Sequence, residues 1–280
     1  MVLEVLEFGF IQRALIAGVA VAIVASVIGL FLVLRRNSLF GDALSHVAFG
    51  GIALGLFAHI YPLWTGLALS VMGALGITKI RQSTKIPADA TVAILLSFGL
   101  AFGIVLVSLS GGFTLDLFSI LFGSILLVSV EDTLAILAMA GAVLAIIILL
   151  YRQLMYVTFD EEQAKVSGLQ ISKLNYLFVV LASVSVIVSM RLVGILLVSS
   201  LIVIPNVTAL LFGKGFKKTA LISVVISVFS VLSGISVSYA ANLTPAGTIV
   251  LVLIATFLAM LAARYLSKKQ TVEKLQLAKS

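Results

Sequence analysis

The sequence predicts an all-α integral membrane protein, and three observations predict it. Of its 280 residues, 62% are hydrophobic and 10% charged, with a mean hydropathy of +1.28, far from the balance of a soluble domain. Charge-free apolar runs recur at 14–34, 47–78 (broken only by His59), 90–115, 133–150, 174–190, 192–213 and 219–263, and one bilayer crossing takes about 20 helical residues. Lysine and arginine collect between the runs, at Arg35/Arg36, Lys79/Arg81/Lys85, Arg152/Lys165/Lys173, Lys214/Lys217/Lys218 and Arg264/Lys268/Lys269/Lys274/Lys279.

The elements follow in order. A first helix over 11–34 is expected to be retained, because the residues before it carry Glu4 and Glu7 and lack the basic start of a removable signal. The long run after it holds two helices, 41–58 and 62–79, separated by the turn chemistry of His59-Ile60-Tyr61-Pro62. A helix over 90–110 follows. Gly111–Phe122 is too short and too glycine-rich to cross, and 117–129 reads as a short re-entrant helix. Helices over 132–151, 173–190, 193–213, 218–240 and 246–266 complete about nine spans, the last two divided by Asn242-Leu243-Thr244-Pro245-Ala246-Gly247. One membrane domain fills residues 1–267, with a polar tail over 268–280.

The positive loops set the orientation: cytoplasmic loops carry the excess of Lys and Arg. An outside N-terminus and a cytoplasmic C-terminus place all five clusters on one side of a plasma or inner membrane, provided 117–129 does not cross. The net charge of +7 is therefore loop asymmetry, and no nucleic-acid surface is expected. With no cysteine, any metal site must use oxygen and imidazole.

Chemistry concentrates in the helix over 41–58. Asp42 and His46 lie four apart and project from one helical face, offering an oxygen and a nitrogen to a borderline divalent cation. Ionisable groups inside a membrane bundle are costly and tend to mark a pathway. The plain alternatives are that Asp42 is a first-turn or capping acid and that His46 is satisfied by a neighbouring carbonyl. His59 reads as an interfacial side chain or a receiver of metal from outside. Asp89 and Asp116 read as helix-capping acids that also add negative potential to a cation route. The polar block 152–173 contains Phe159-Asp160-Glu161-Glu162-Gln163-Ala164-Lys165, which suits a short amphipathic helix stopped at Gly168; it is either a docking element or a solvated loop. Gly51/Gly55 and Gly99/Gly103 have the spacing that lets membrane helices approach closely.

Four blocks resemble the membrane permease subunit of the ATP-binding-cassette importers for zinc and manganese: VLRRNSLFGDALSHVAFGGIALG (33–55), DLFSILFGSILLVS (116–129), FDEEQAKVSGLQISKLNYLF (159–178) and RLVGILLVSSLIVIPNVTALL (191–211), with PAGTIVL (245–251) a weaker fifth. The resemblance implies a permease fold like that of the cobalamin and siderophore importers. It also implies a second permease copy, two cytoplasmic ATP-binding subunits and an extracytoplasmic metal-binding protein. Under it Asp42 and His46 become ligands of the transported Zn²⁺ or Mn²⁺, with no permanently bound cofactor. Phe159, Asp160, Glu161, Glu162, Ala164, Gly168 and Leu169 become the ATPase-coupling segment. The chain departs from the family pattern at Phe49-Gly50, Ser124 and Asn206.

The expected activity is thus transport rather than catalysis, with ATP hydrolysis on a partner, since no GxxxxGK[ST] occurs. A nucleotide-independent secondary transporter or channel is the competing class. An intramembrane protease lacks HExxH and any suitable triad.

Overall fold

In the computed structural model, residues 9–84, 86–112, 121–123, 129–195 and 198–277 are described. Among them the chain forms eleven helices: α1 (Gly9–Leu34), α2 (Phe40–Phe57), α3 (Pro62–Ser83), α4 (Ala88–Leu109), α5 (Val130–Leu149), α6 (Tyr151–Phe159), α7 (Glu161–Val166), α8 (Ile171–Val193), α9 (Val198–Leu210), α10 (Phe216–Ala241) and α11 (Pro245–Leu277). Eight of them are long and apolar enough to cross a membrane. The re-entrant helix expected over 117–129 and the candidate Asp116 lie outside the described residues, apart from 121–123 and Ser129.

The expected span over 193–213 differs. Among the described residues its helical part is α9, 13 residues long and so about 20 Å, short of a hydrocarbon core of about 30 Å. The reason lies at Gly194, whose φ of +78° ends α8 in a backbone conformation that L side chains rarely adopt. A Cβ there would collide with the backbone of Leu121–Gly123. The polar tail expected after residue 267 continues as the same helix, α11, to Leu277.

Turn chemistry explains the connections. His59 adopts φ +54° and Asn242 φ +51°, and Pro62 and Pro245 begin the next helices, where a missing amide hydrogen costs nothing. Among the described residues, Arg35/Arg36, Lys79/Arg81, Arg152/Lys165/Lys173 and Lys214/Lys217/Lys218 fall at helix ends or links that contact one another, called here the basic end.

One apolar core runs from Ala14 in α1 to Leu253 in α11. Helix α2 is its centre, packed between α3 and α4, with Gly51 and Gly55 against α3 and Gly50 against α4. On the far side, α1, α9 and α10 are joined by a buried polar ladder. Ser26 donates to Ser223 (2.8 Å), Ser223 to Asn206 Oδ1 (2.7 Å) and Asn206 Nδ2 to the Ile202 carbonyl (2.7 Å). Ser227 adds a bond to the Ala22 carbonyl at 3.0 Å. Asn206, a departure at the sequence level, is therefore the amide that anchors this ladder.

Candidate metal pathway and coupling segment

The local sequence of α2 explains how its polar pair is displayed. Residues 40, 41, 43–45, 47–53 and 55 are buried, which leaves Asp42 and His46 partly open in the first two turns and Leu54, Leu56 and Phe57 at the far end. Their side chains are 25% and 14% exposed, with His46 Nε2 3.9 Å from Asp42 Oδ1. That is too long for a hydrogen bond. It is within a few tenths of an ångström of the ~3.4 Å that separates two donors on one tetrahedral metal with ~2.1 Å bonds.

Asp42 is not a cap. The N-cap of α2 is Leu39, which makes no side-chain capping bond, and the carboxylate instead accepts a hydrogen bond from Ser199 at 3.3 Å. His46 Nδ1 is buried without a hydrogen-bond partner among the described residues, so no neighbouring carbonyl there holds that nitrogen. Ser199 is not legible in the sequence. It lies 157 positions away, and its only signal is the pair Ser199-Ser200 inside LLVSSL.

Ser199 precedes Leu210, the last residue of α9, by eleven residues, or about 16 Å of helix.

The structure separates the other expected residues from this pair. His59 is exposed beyond the opposite end of α2, about 20 Å along the axis from His46. Asp89 is an exposed first-turn acid of α4, whose N-cap is Pro87. Ten residues further on, α4 touches α2 at the site: a Cβ on Gly99 would stand 2.5 Å from Val47 N and 2.6 Å from the His46 carbonyl carbon. Among the described residues no third His, Cys, Asp or Glu joins Asp42 and His46.

The block 152–173 is ordered as two short helices. Phe159 ends α6 rather than opening the next helix, because Asp160 caps α7, accepting a bond from Gln163 N at 2.9 Å. Ala164, fully buried, packs with Val157 and Leu174 and anchors α7 to the bundle. Gly168 (φ +81°) makes the stop, and half-buried Leu169 leads into α8. Phe159 (63% exposed) and Val166 (91% exposed) point outward at the basic end, beside exposed Glu161 and Glu162.

A profile of the ABC 3 transport family matches residues 7–264. The chain belongs to that family. Several of its relatives are metal-transport proteins by name. A probable metal transport system membrane protein of Treponema pallidum is 32% identical over 95% of this chain and all of its own length. The manganese import system permease protein ScaB of Streptococcus gordonii is 31% identical over 94% of this chain and 96% of its own. A solved structure of PsaBC from Streptococcus pneumoniae, in complex with a Fab, superposes with a TM-score of 0.83 at 32% identity, covering 92% of this chain and 94% of that one. The chain is accordingly a multi-pass metal-transport permease of the ATP-binding-cassette class, and the all-α permease fold expected from its sequence is the fold it has.

Proposed function

We propose that this chain is the membrane subunit of an ATP-driven importer of a divalent transition-metal ion, Mn²⁺ before Zn²⁺ or Fe²⁺. It works as a homodimer in which Asp42 and His46 of both copies hold the ion in transit. The observation that carries the reading is the open stripe of α2. A carboxylate and an imidazole within an apolar bundle, on a face left partly uncovered by the chain's own helices, cannot stand against hydrocarbon without a large penalty. A second copy seated on that face covers them and doubles the set to two oxygens and two nitrogens. Such donors suit Mn²⁺ or Zn²⁺ and disfavour Ca²⁺, which takes oxygen shells. The manganese relatives favour Mn²⁺ among the candidates.

The ion must leave again, so the pair must hold it only moderately. Separation of the two copies at α2 lengthens the metal–donor distances and releases the ion, which is alternating access in its simplest form. The α6–α7 segment, with its outward Phe159 and Val166, suits the groove of an ATP-binding subunit at the basic, cytoplasmic end. His59 at the opposite end faces the extracytoplasmic metal-binding protein.

The test is uptake of Mn²⁺, Zn²⁺ and Fe²⁺ by the complex with its ATPase and binding protein, reconstituted in vesicles, for wild type, Asp42→Ala and His46→Ala. Each variant is expected to lose at least tenfold in ATP-driven Mn²⁺ uptake while still assembling with the ATPase. Full uptake by both variants removes the site, and uptake by the permease alone without nucleotide makes it a secondary transporter.

A further inference from the structure

Arg35 does more than orient the chain in the bilayer. It follows α1 directly and is half-buried. Its Nε donates to Thr158 Oγ1 in α6 at 2.9 Å and its Nη1 to Asn175 Oδ1 in α8 at 3.0 Å. The guanidinium carbon lies 4.3 Å from the centre of the Phe178 ring. Asn175 in turn donates to Glu161 of α7 at 3.4 Å. One side chain thus ties α6 to α8 directly and reaches α7 through Asn175.

The same residue is rigidly joined to the metal pair. Backbone bonds from Arg35 N to the Phe31 carbonyl, Asn37 N to Leu32 and Phe40 N to Asn37, all 2.9–3.0 Å, close the turn between α1 and α2, and Arg36 takes φ +55° within it. Asp42 stands two residues beyond Phe40. Between this turn and the 157–173 segment lies an open cleft of about 1220 Å³, lined by Arg35, Phe40, Arg81, Thr158, Lys165 and Asn175 among others. Across that space Arg35 is a part-buried link from the turn, and Ser172 to Gln82 of α3 (3.3 Å) is an exposed one.

Stability alone does not account for this arrangement. Burial pushes the Arg35 guanidinium down to about 10, against an opposing pull from Glu161, so it stays charged at neutral pH while bearing a desolvation penalty. Burying a charge in this way adds little to stability compared with a well-packed apolar residue. What an arginine supplies and a lysine does not is a planar fork that bonds two elements at once. Its Nη2 is buried without a hydrogen-bond partner among the described residues, a donor to spare when the partners move.

We propose that Arg35 is the positioning residue that transmits movement of the α6–α7 segment to α2 and thereby couples ATP hydrolysis to opening of the metal pair. The inference rests on the function proposed above. It is tested in vesicles holding the complete complex, by measuring Mn²⁺ taken up and ATP hydrolysed in the same sample. Arg35→Met and Arg35→Lys are expected to lower the Mn²⁺:ATP ratio tenfold or more with hydrolysis within twofold of wild type. Thr158→Val and Asn175→Leu, which remove the acceptors and leave the charge, should each lower it about threefold. Gln82→Ala, which breaks the exposed link, should leave it unchanged. An unchanged ratio in Arg35→Met overturns the proposal. If that variant fails to assemble, an unchanged ratio in both acceptor variants does so. Wild-type complex that takes up no Mn²⁺ with ATP overturns the function itself, and this coupling with it.

Discussion

Two sets of three helices meet at the proposed metal pair, and they are held together differently. In α2, α3 and α4 the contact is steric: glycines bring backbones so close that added Cβ atoms would overlap neighbouring main chain. In α1, α9 and α10 one such contact, Gly29 of α1 against the Ile202 carbonyl of α9, is joined by a polar ladder of Ser26, Ser223, Asn206 and Ser227. Lipid tails are as apolar as leucine, so membrane helices gain little by burying apolar surface and rely on close packing or hydrogen bonds. The difference is one of tolerance. A steric interlock admits one geometry and fails when mass is added, whereas serine and amide bonds are weak singly and re-form as helices slide. Asp42 belongs to the steric set and its hydrogen-bond partner Ser199 to the one that adds the more adjustable ladder, so the pair sits on the seam between them.

The comparison breaks most sharply at Gly99. Gly99→Val forces α4 away from α2 at His46, and overpacking of this kind typically costs about 1–3 kcal/mol. Loss of nearly all Mn²⁺ uptake is expected, together with a lower Tm of the purified permease in detergent. Wild-type uptake by the Gly99→Val protein would show that the interlock does not set the site.

Asn206→Ala addresses the adjustable set. It removes both the acceptor of Ser223 and the donor to Ile202, and a loss of about 1 kcal/mol is expected, read as a small fall in Tm with uptake retained. Ser223→Ala should cost still less, near the ~0.6 kcal/mol average measured for hydrogen bonds between membrane helices. If Asn206→Ala abolishes assembly, the ladder is as rigid as the glycine contact and the contrast disappears.

How much of this is legible in the sequence follows the chemistry. Asp42 and His46 announce themselves because nothing else in so apolar a run is ionisable. The turns at His59–Pro62 and Asn242–Gly247 are written in residues that favour them. Serines and glycines are frequent throughout this chain, so which of them meet is decided by tertiary packing and not by local pattern; Ser199 and the Ser26–Ser223–Asn206 ladder are hidden for that reason. Arg35 reads only as one positive charge among five clusters, since its partners lie 123 and 140 positions away. The shortness of α9 turns on one glycine whose flanks, Val193 and Ile195, look like continuous span.

The finest probe of the seam is Ser199→Ala. The hydroxyl bonds Asp42 Oδ1 at 3.3 Å, at the long end for an O–H donor, so it orients the carboxylate without holding it tightly. Its removal leaves a carboxylate that is free to turn and that keeps its full charge for a cation. A two- to threefold change in the Mn²⁺ concentration giving half-maximal uptake is expected, equivalent to roughly 0.4–0.7 kcal/mol, with Tm unchanged because no buried donor or acceptor is stranded. A tenfold loss would instead make Ser199 a ligand in its own right, and the site would then span both helix sets rather than resting on α2 alone.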